Sequence, residues 1–259
     1  MSTTILSAYE GNNRLMLITH KNQRFSEYEE IANAIEGGCK WVQLRMKGTL
    51  NIETAKQVAE LCRKNNVRLC IDDNVDIALQ CGANTVHLGK NDMPVAEAWE
   101  IVKTNYKGDD FQIGATANTF EDIKQAVSQG ASYIGLGPFR FTQTKEKLSP
   151  VLGLDGYRKI MQQCKDENIN IPVYAIGGIE FEDIDELMKT GITGIAISGA
   201  INNADNPTEA TRRIVEKLTS EQGKKSLVNL KTDKLKNLQT QKLKQCFPTK
   251  RTYYNLWHC

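Results

Sequence analysis

The stretch Val173–Gly199, VYAIGGIEFEDIDELMKTGITGIAISG, decides how the fold is read. It opens on a β-rich run, VYAI, and breaks at Gly177-Gly178. A segment of helical period follows from Asp183 to Lys189, and a second apolar run, GIAI, closes on Ser198-Gly199. A strand, a helix and a strand in this order imply a right-handed crossover and parallel pairing.

Working outward, the same unit recurs. Further strand candidates are RLMLIT (14–19), WVQLR (41–45), RLCID (68–72), TVHLG (85–89), QIGAT (112–116) and YIGLG (133–137), with VYAIGG (173–178) and GIAISG (194–199) completing the set. Ser26-Glu-Tyr-Glu29 is a capping box opening a helix that ends at Gly37-Gly38. Asn51 to Arg63 and Thr119 to Gln129 have helical period, and similar patterns follow Pro94, Gly153 and Asn206. About eight such units in about 200 residues is the arithmetic of an α/β fold of the (β/α)8 TIM-barrel type. The first three strands also suit an open sheet, but the glycine fingerprint of a dinucleotide fold is missing.

The chain has 259 residues, 40% of them hydrophobic, enough for a substantial core. A formal net charge of +2 gives no general reason to expect nucleic acid or an anionic membrane as partner. That near-neutrality hides an asymmetry: Lys224, Lys225, Lys231, Lys234, Lys236, Lys242, Lys244, Lys250 and Arg251 follow Glu221, with only Asp233 beside them. Residues 1–220 are therefore expected to form the barrel. Residues 221–259 are expected to form a basic C-terminal extension, partly disordered or helical up to the break at Phe247-Pro248 and solvated rather than bound to a membrane or partner. Seven scattered cysteines without a CxxC pair argue against a disulfide scaffold or zinc ribbon and for free thiols. With no signal-peptide pattern at the N-terminus and no apolar run of membrane-spanning length, a cytoplasmic protein is expected. Self-association is left open.

Barrel chemistry gathers at the C-terminal ends of the strands. After the second strand, Gln43, Arg45 and Lys47 fall to one side by alternation, and buried cations call for an anion. Asp72-Asp73 ends the third strand and Asp92 follows the fourth, a set of oxygen donors suited to magnesium. The plainer readings are that Asp73 caps a helix beginning near Val75, that Asp92 caps the one after Pro94, that His87 is a core histidine and that Lys90 is a surface lysine. Gly177-Gly178 and Ser198-Gly199-Ala200 end the last two strands, where barrels commonly hold phosphate on backbone N–H groups. The loop GPFRFTQTKEK (137–147) lies between these two regions.

QLRMKG, IDDNVDIAL, VHLGKNDMP, GPFRFTQTK, AIGGI and GIAISGAI, in this order from about Arg14 to Leu218, resemble the thiamine-phosphate synthase family. The resemblance implies a small-molecule transferase of thiamine biosynthesis. It joins 4-amino-5-hydroxymethyl-2-methylpyrimidine diphosphate to a thiazole phosphate, or its carboxylated form, and releases pyrophosphate. By position it implies that Gln43, Leu44, Arg45, Met46 and Lys47 hold the diphosphate substrate with Asp72, Thr116 and Lys145. Arg45, Lys47 and Lys145 would be catalytic, Asp73 and Asp92 would hold Mg2+, and Thr142, Gln143, Thr144, Gly178, Ser198 and Gly199 would receive the thiazole phosphate. The family usually has Asn at Asp72, often Gln at Lys90, and Ser at Thr116. An extra carboxylate at Asp72 would suit the metal shell or the aminopyrimidine. The family's displacement is dissociative and needs no protein nucleophile, in keeping with the lack of a Ser-His-Asp or Cys-His set. A thiazole tautomerase of the same superfamily would want a general base at the mouth, and a non-catalytic thiamine-phosphate-binding barrel would not need the full ligand set.

Overall fold

The computed structural model describes residues 14–20, 22–46, 48, 51–141 and 150–220. Eight parallel strands close in sequence order: β1 (Leu15–Ile18), β2 (Trp41–Leu44), β3 (Arg68–Asp72), β4 (Thr85–Leu88), β5 (Gln112–Ala117), β6 (Tyr133–Leu136), β7 (Val173–Ile176) and β8 (Gly194–Ile197). The ring is sealed where β1 pairs with β8 through Leu15↔Ile195, Met16↔Ala196 and Leu17↔Ile197. That closure excludes the open-sheet alternative. The described residues up to Leu218 fall in one compact unit. The basic segment expected at 221–259 lies outside the described residues.

The helices are α1 (Glu27–Glu36), α2 (Ile52–Lys64), α3 (Val75–Cys81), α4 (Val95–Asn105), α5 (Phe120–Ser128), α6 (Gly153–Asp166), α7 (Ile184–Lys189), α8 (Gly199–Asn202) and α9 (207–220). Local chemistry sets their starts. Ser26 and Glu29 form the expected capping box on α1, and Thr119 with Asp122 forms another on α5. Asn51 accepts from Glu53 and Thr54 N–H at the start of α2. Residues 181–183 form a 3-10 turn leading into α7, one residue later than the period suggests. None of the described helices is long and apolar enough to cross a membrane.

Period-2 alternation divides the strands between two environments. Outward residues such as Leu17, Val42, Ile71, Val86, Ile113, Ile134, Ala175 and Ile195 are buried between sheet and helices in the main core. Inward residues make a second, smaller cluster of Met16, Ile18, Trp41, Tyr133, Tyr174 and Ala196 inside the barrel. Trp41 lies edge-on to Tyr133 and Tyr174, with ring centroids 4.8 Å away in each case. The Arg68 guanidinium sits 5.2 Å from the Trp41 ring, and Arg68 Nη1 donates to Gln112 Oε1 at 2.8 Å. These groups stand at the starts of their strands, so they form the barrel floor.

Several sequence runs overshoot the strands. Thr19, Arg45, Gly89, Gly137, Gly177-Gly178 and Ser198-Gly199 all lie past the last paired residue, on the rim opposite that floor. Cys39, Cys62, Cys70 and Cys164 are buried free thiols, as expected, and Cys81 is half-buried. Burial pushes the Cys39 thiol up to about 11. Trp41→Ala is expected to cost about 3–5 kcal/mol of unfolding free energy in urea denaturation, since it empties the centre of the floor; a change below about 1 kcal/mol would show that the floor is not a packed layer.

Candidate active site

The rim is assembled pairwise from neighbouring strands. Gln43 and Asp72 both point inward, and the register that sets Gln43 opposite Cys70 brings the Gln43 amide onto the Asp72 carboxylate, where Nε2 donates to Oδ1. Asp72 Oδ2 takes Arg45 Nε at 3.1 Å. The carboxylate therefore neutralises Arg45 within the protein, and the two Nη groups carry no other bond among the described residues. Gln43 is 2% exposed and its Oε1 has no partner among the described residues. An acceptor stranded in that way costs free energy until a donor arrives. The Arg45 main chain is pinned by Thr19, whose hydroxyl accepts from Arg45 N at 2.8 Å and donates to Arg45 O at 3.2 Å. Thr19 was read in the sequence only as the last residue of a strand.

Leu44 and Met46 turn the other way. Leu44 is buried in the shell between sheet and helices and Met46 packs against that shell, so only their main chains face the rim. Lys47, Thr142, Gln143, Thr144 and Lys145 lie outside the described residues.

Asp73 leaves β3 with φ 62°, a left-handed conformation unusual for a residue with a side chain. Its N–H donates to His87 O at 2.8 Å. It does not cap α3; Asn74 does, accepting from Ile77 N at 2.8 Å. Asp92 does not cap α4 either, because that helix begins after Pro94 without a side-chain cap, and Asp92 Oδ2 instead accepts from Gly89 N at 2.6 Å. The two carboxyls meet. Burial, then the Asp72 charge, then the bond to Asp92 push the Asp73 carboxyl well above the usual range. Two carboxyls brought this close are suited to a cation between them. Among the described residues no group of three or more His, Cys, Asp or Glu is placed to hold a metal ion. A pair of this kind suits magnesium, which takes one or two carboxylates and completes its octahedron with water and phosphate.

His87, 5% exposed, sets Nε2 3.0 Å from Thr116 Oγ1. The room for its ring comes from Gly135, where a Cβ would stand 2.9 Å from His87 Cε1. Lys90 is taken up by Asp122 at 2.8 Å, and Asp122 also accepts from Asn118 and Thr119 N–H. Lys90 is exposed, in line with the surface reading, and its pair with Asp122 braces the start of α5.

The loop leaving β6 is stapled to the glycine turn after β7. Phe139 N donates to Ile176 O and Arg140 N to Gly177 O, each at 2.9 Å. Gly177 has φ 93°, and a Cβ there would stand 2.8 Å from Pro138 Cβ, so the two loops approach closely because this residue is glycine. Arg140 adds a bond to Gly178 O at 2.6 Å and a two-pronged pair with Asp183 at 2.9 Å. Sequence reasoning missed Arg140; an arginine two residues past a Gly-Pro turn was the available signal.

Ser198 sits at the start of the short helix α8, and its Oγ lies 2.9 Å from His20 Nδ1. His20 N donates to Glu30 at 2.9 Å. Glu30 is 1% exposed and was also missed, although it shares the buried face of α1 with Ile31 and Ala34.

Inward polar groups, a carboxylate pair and a glycine-lined rim define a (β/α)8 protein with its chemistry at the C-terminal ends of the strands, the arrangement of barrel enzymes. The thiamine monophosphate synthase family model matches residues 15–201, and the chain belongs to that family. It is 50% identical over 204 residues to thiamine-phosphate synthase of Phocaeicola vulgatus, covering 78% of this chain and 96% of that protein. It is 46% identical to thiamine-phosphate synthase of Flavobacterium psychrophilum, covering 80% and 99%. The solved thiamine phosphate pyrophosphorylase of Pyrococcus furiosus superposes with a TM-score of 0.69 at 34% identity, covering 80% and 96%.

Burial pushes the Glu30 carboxyl from 4.5 up to about 8, against the pull of the His20 N–H. Between those values the folded chain keeps a proton that the unfolded chain has lost, so stability falls as pH rises through the window. The melting temperature of wild type relative to Glu30→Gln is therefore expected to drop steadily from about pH 5 to about pH 8.5. A difference independent of pH would show that Glu30 is not a buried titrating group.

Proposed function

We propose that this chain joins 4-amino-5-hydroxymethyl-2-methylpyrimidine diphosphate to 4-methyl-5-(2-hydroxyethyl)thiazole phosphate, giving thiamine phosphate and pyrophosphate. The observation that carries the reading is the identity with thiamine-phosphate synthases over nearly their whole length. The rim supports it with a carboxylate pair beside a buried amide and an arginine.

In this reading Gln43 offers its stranded Oε1 to the amino group of the pyrimidine, and the Arg45 Nη groups receive the diphosphate while Asp72 fixes Nε. Asp72 then orients Gln43 and Arg45 and does not itself touch the diphosphate, whose like charge it would repel. Thr116, held by His87, lines the same side. Lys47 and Lys145 add positive charge to the leaving group. Asp73 and Asp92 would hold Mg2+, which would supply Lewis-acid stabilisation of the charge on departing pyrophosphate. Departure leaves a resonance-stabilised pyrimidine methylene cation, and the thiazole nitrogen supplies the electron pair that closes the new C–N bond. Thr142, Gln143 and Thr144, with Gly178, Ser198 and Gly199, hold the thiazole phosphate so that this nitrogen is close by, a proximity effect. No protein nucleophile takes part. A cytoplasmic setting agrees with the buried free thiols.

With both substrates and Mg2+, the purified chain is expected to form thiamine phosphate and pyrophosphate in equal amounts, read by chromatography; a folded protein that binds both substrates and makes neither product would overturn the assignment. Asp73→Ala is expected to lower Mg2+-dependent turnover by at least about 100-fold with the fold intact, a loss of about 2.7 kcal/mol of transition-state stabilisation. Unchanged turnover would remove Asp73 from the metal site. We also propose that residues 1–220 are the catalytic unit. Deleting 223–259 is expected to keep kcat within about threefold, under 1 kcal/mol, and loss of turnover in a folded truncation would place the basic segment in the site or core.

A further inference from the structure

The glycine turn after β7 is gripped by a single residue of the neighbouring loop. Arg140 takes two successive carbonyls: its main-chain N–H donates to Gly177 O at 2.9 Å and its Nη1 to Gly178 O at 2.6 Å. In a planar trans peptide the N–H points opposite to the C=O. Holding both carbonyls therefore sets the N–H groups of Gly178 and Ile179, which point away from these Arg140 donors and have no acceptor among the described residues. Both glycines are left-handed, with φ 93° and 66°, and successive N–H groups in a turn of this kind suit an anion. A carbonyl that accepts a hydrogen bond also polarises the N–H of its own peptide, which strengthens that donor.

The Arg140 guanidinium is itself aimed. Asp183 takes Nη1 and Nη2 at 2.9 Å each and also accepts from Glu180 N at 2.8 Å, while the Phe139 ring centroid lies 5.1 Å from Arg140 Cζ. Fork and ring fix the orientation of the head, and the Asp183 carboxylate takes up its charge. We propose that Arg140, aimed by Asp183, is a positioning residue for the thiazole-phosphate half of the site: it clamps the Gly177 and Gly178 carbonyls so that the Gly178 and Ile179 N–H groups stand ready for the phosphate. This rests on the reading of Gly178 as a thiazole-phosphate contact. The clamp needs no rearrangement when phosphate arrives, because the bonds it makes are to the carbonyls and the phosphate takes the N–H groups. Without it the Gly178 peptide is free to rotate, and binding must first order it.

The test measures thiazole phosphate affinity by calorimetry and the KM for both substrates by turnover. Arg140→Met is expected to weaken thiazole phosphate binding about tenfold, about one hydrogen bond's worth, while kcat and the KM for the pyrimidine diphosphate stay within about twofold. Arg140→Lys keeps the charge but cannot span Asp183 and Gly178 O together, so it is expected to resemble Arg140→Met. Asp183→Asn is expected to weaken the same affinity about threefold, since it loosens the aim of the fork. An arginine that touched the phosphate directly would give the opposite sign, because removing Asp183's charge would free the guanidinium and tighten binding. Tighter or unchanged binding in Asp183→Asn, wild-type affinity in Arg140→Lys, or equal losses for both substrates would overturn the proposal. If Arg140→Met fails to fold, Arg140→Lys and Asp183→Asn decide it. Wild type separates the two readings: binding of thiazole phosphate without product overturns the activity and leaves the Arg140 comparison decisive, whereas no binding overturns the Gly178 contact and the clamp with it.

Discussion

Pairing of β8 onto β1 is the constraint from which the rest follows. Until Leu15, Met16 and Leu17 meet Ile195, Ala196 and Ile197, the strand ends lie along an open edge. Once they meet, the same ends face one another around a rim. Each polar pair of the site then joins adjacent strands or the loops leaving them. Gln43 reaches Asp72 across β2 and β3, Asp73 reaches Asp92 across β3 and β4, and His87 reaches Thr116 across β4 and β5. Arg140 reaches Gly178 across β6 and β7, and Ser198 reaches His20 across the seam itself. The site is in effect a set of hydrogen bonds between neighbours, held in place by a backbone that has no free edge.

Electrostatics at that rim are poised rather than balanced. Asp72 stands between an arginine, which favours its charge, and Asp73, which opposes it. Asp73 responds by holding its proton more tightly than an exposed carboxyl would. In the proposed reading, a dication accompanied by a diphosphate would resolve both tensions together: the carboxylates would gain a positive partner, and the Arg45 Nη groups a negative one. Free Mg2+ or free diphosphate alone would resolve one and leave the other.

The alternation of β-rich runs with helical period was enough to read the barrel, because each short unit repeats with one inner and one outer face. The sequence also singled out Gln43, Arg45, Asp72, Asp73 and Asp92 as strand-end residues, and the structure gathers them at the rim. Strand ends were less legible: an apolar run such as VYAIGG continues past the last paired residue, and only the positive φ of Gly177 marks the exit. Two capping readings failed for a reason of geometry, since Asn74 and Pro94 stand closer to the helix starts than Asp73 and Asp92 do. Thr19, His20 and Asn202 were not legible as site residues, and Arg140 offered only its place two residues past a Gly-Pro turn. Their partners are Arg45, Ser198, Asp183 and Ile18, brought near by the closed ring and not by sequence proximity.

Trp41, Tyr133 and Tyr174, with Arg68 laid over the indole, make the lower end of the barrel a stopper. A vessel closed at the bottom has one doorway, and two substrates and two products must share it. Whichever molecule seats beside the inward-facing Gln43 sits behind whatever rests on the rim near Ser198. In the proposed reading, traffic through such a site would be a stack: the deeper occupant would arrive first and be trapped by the second, and a product spanning both depths would have to withdraw before the next cycle could load.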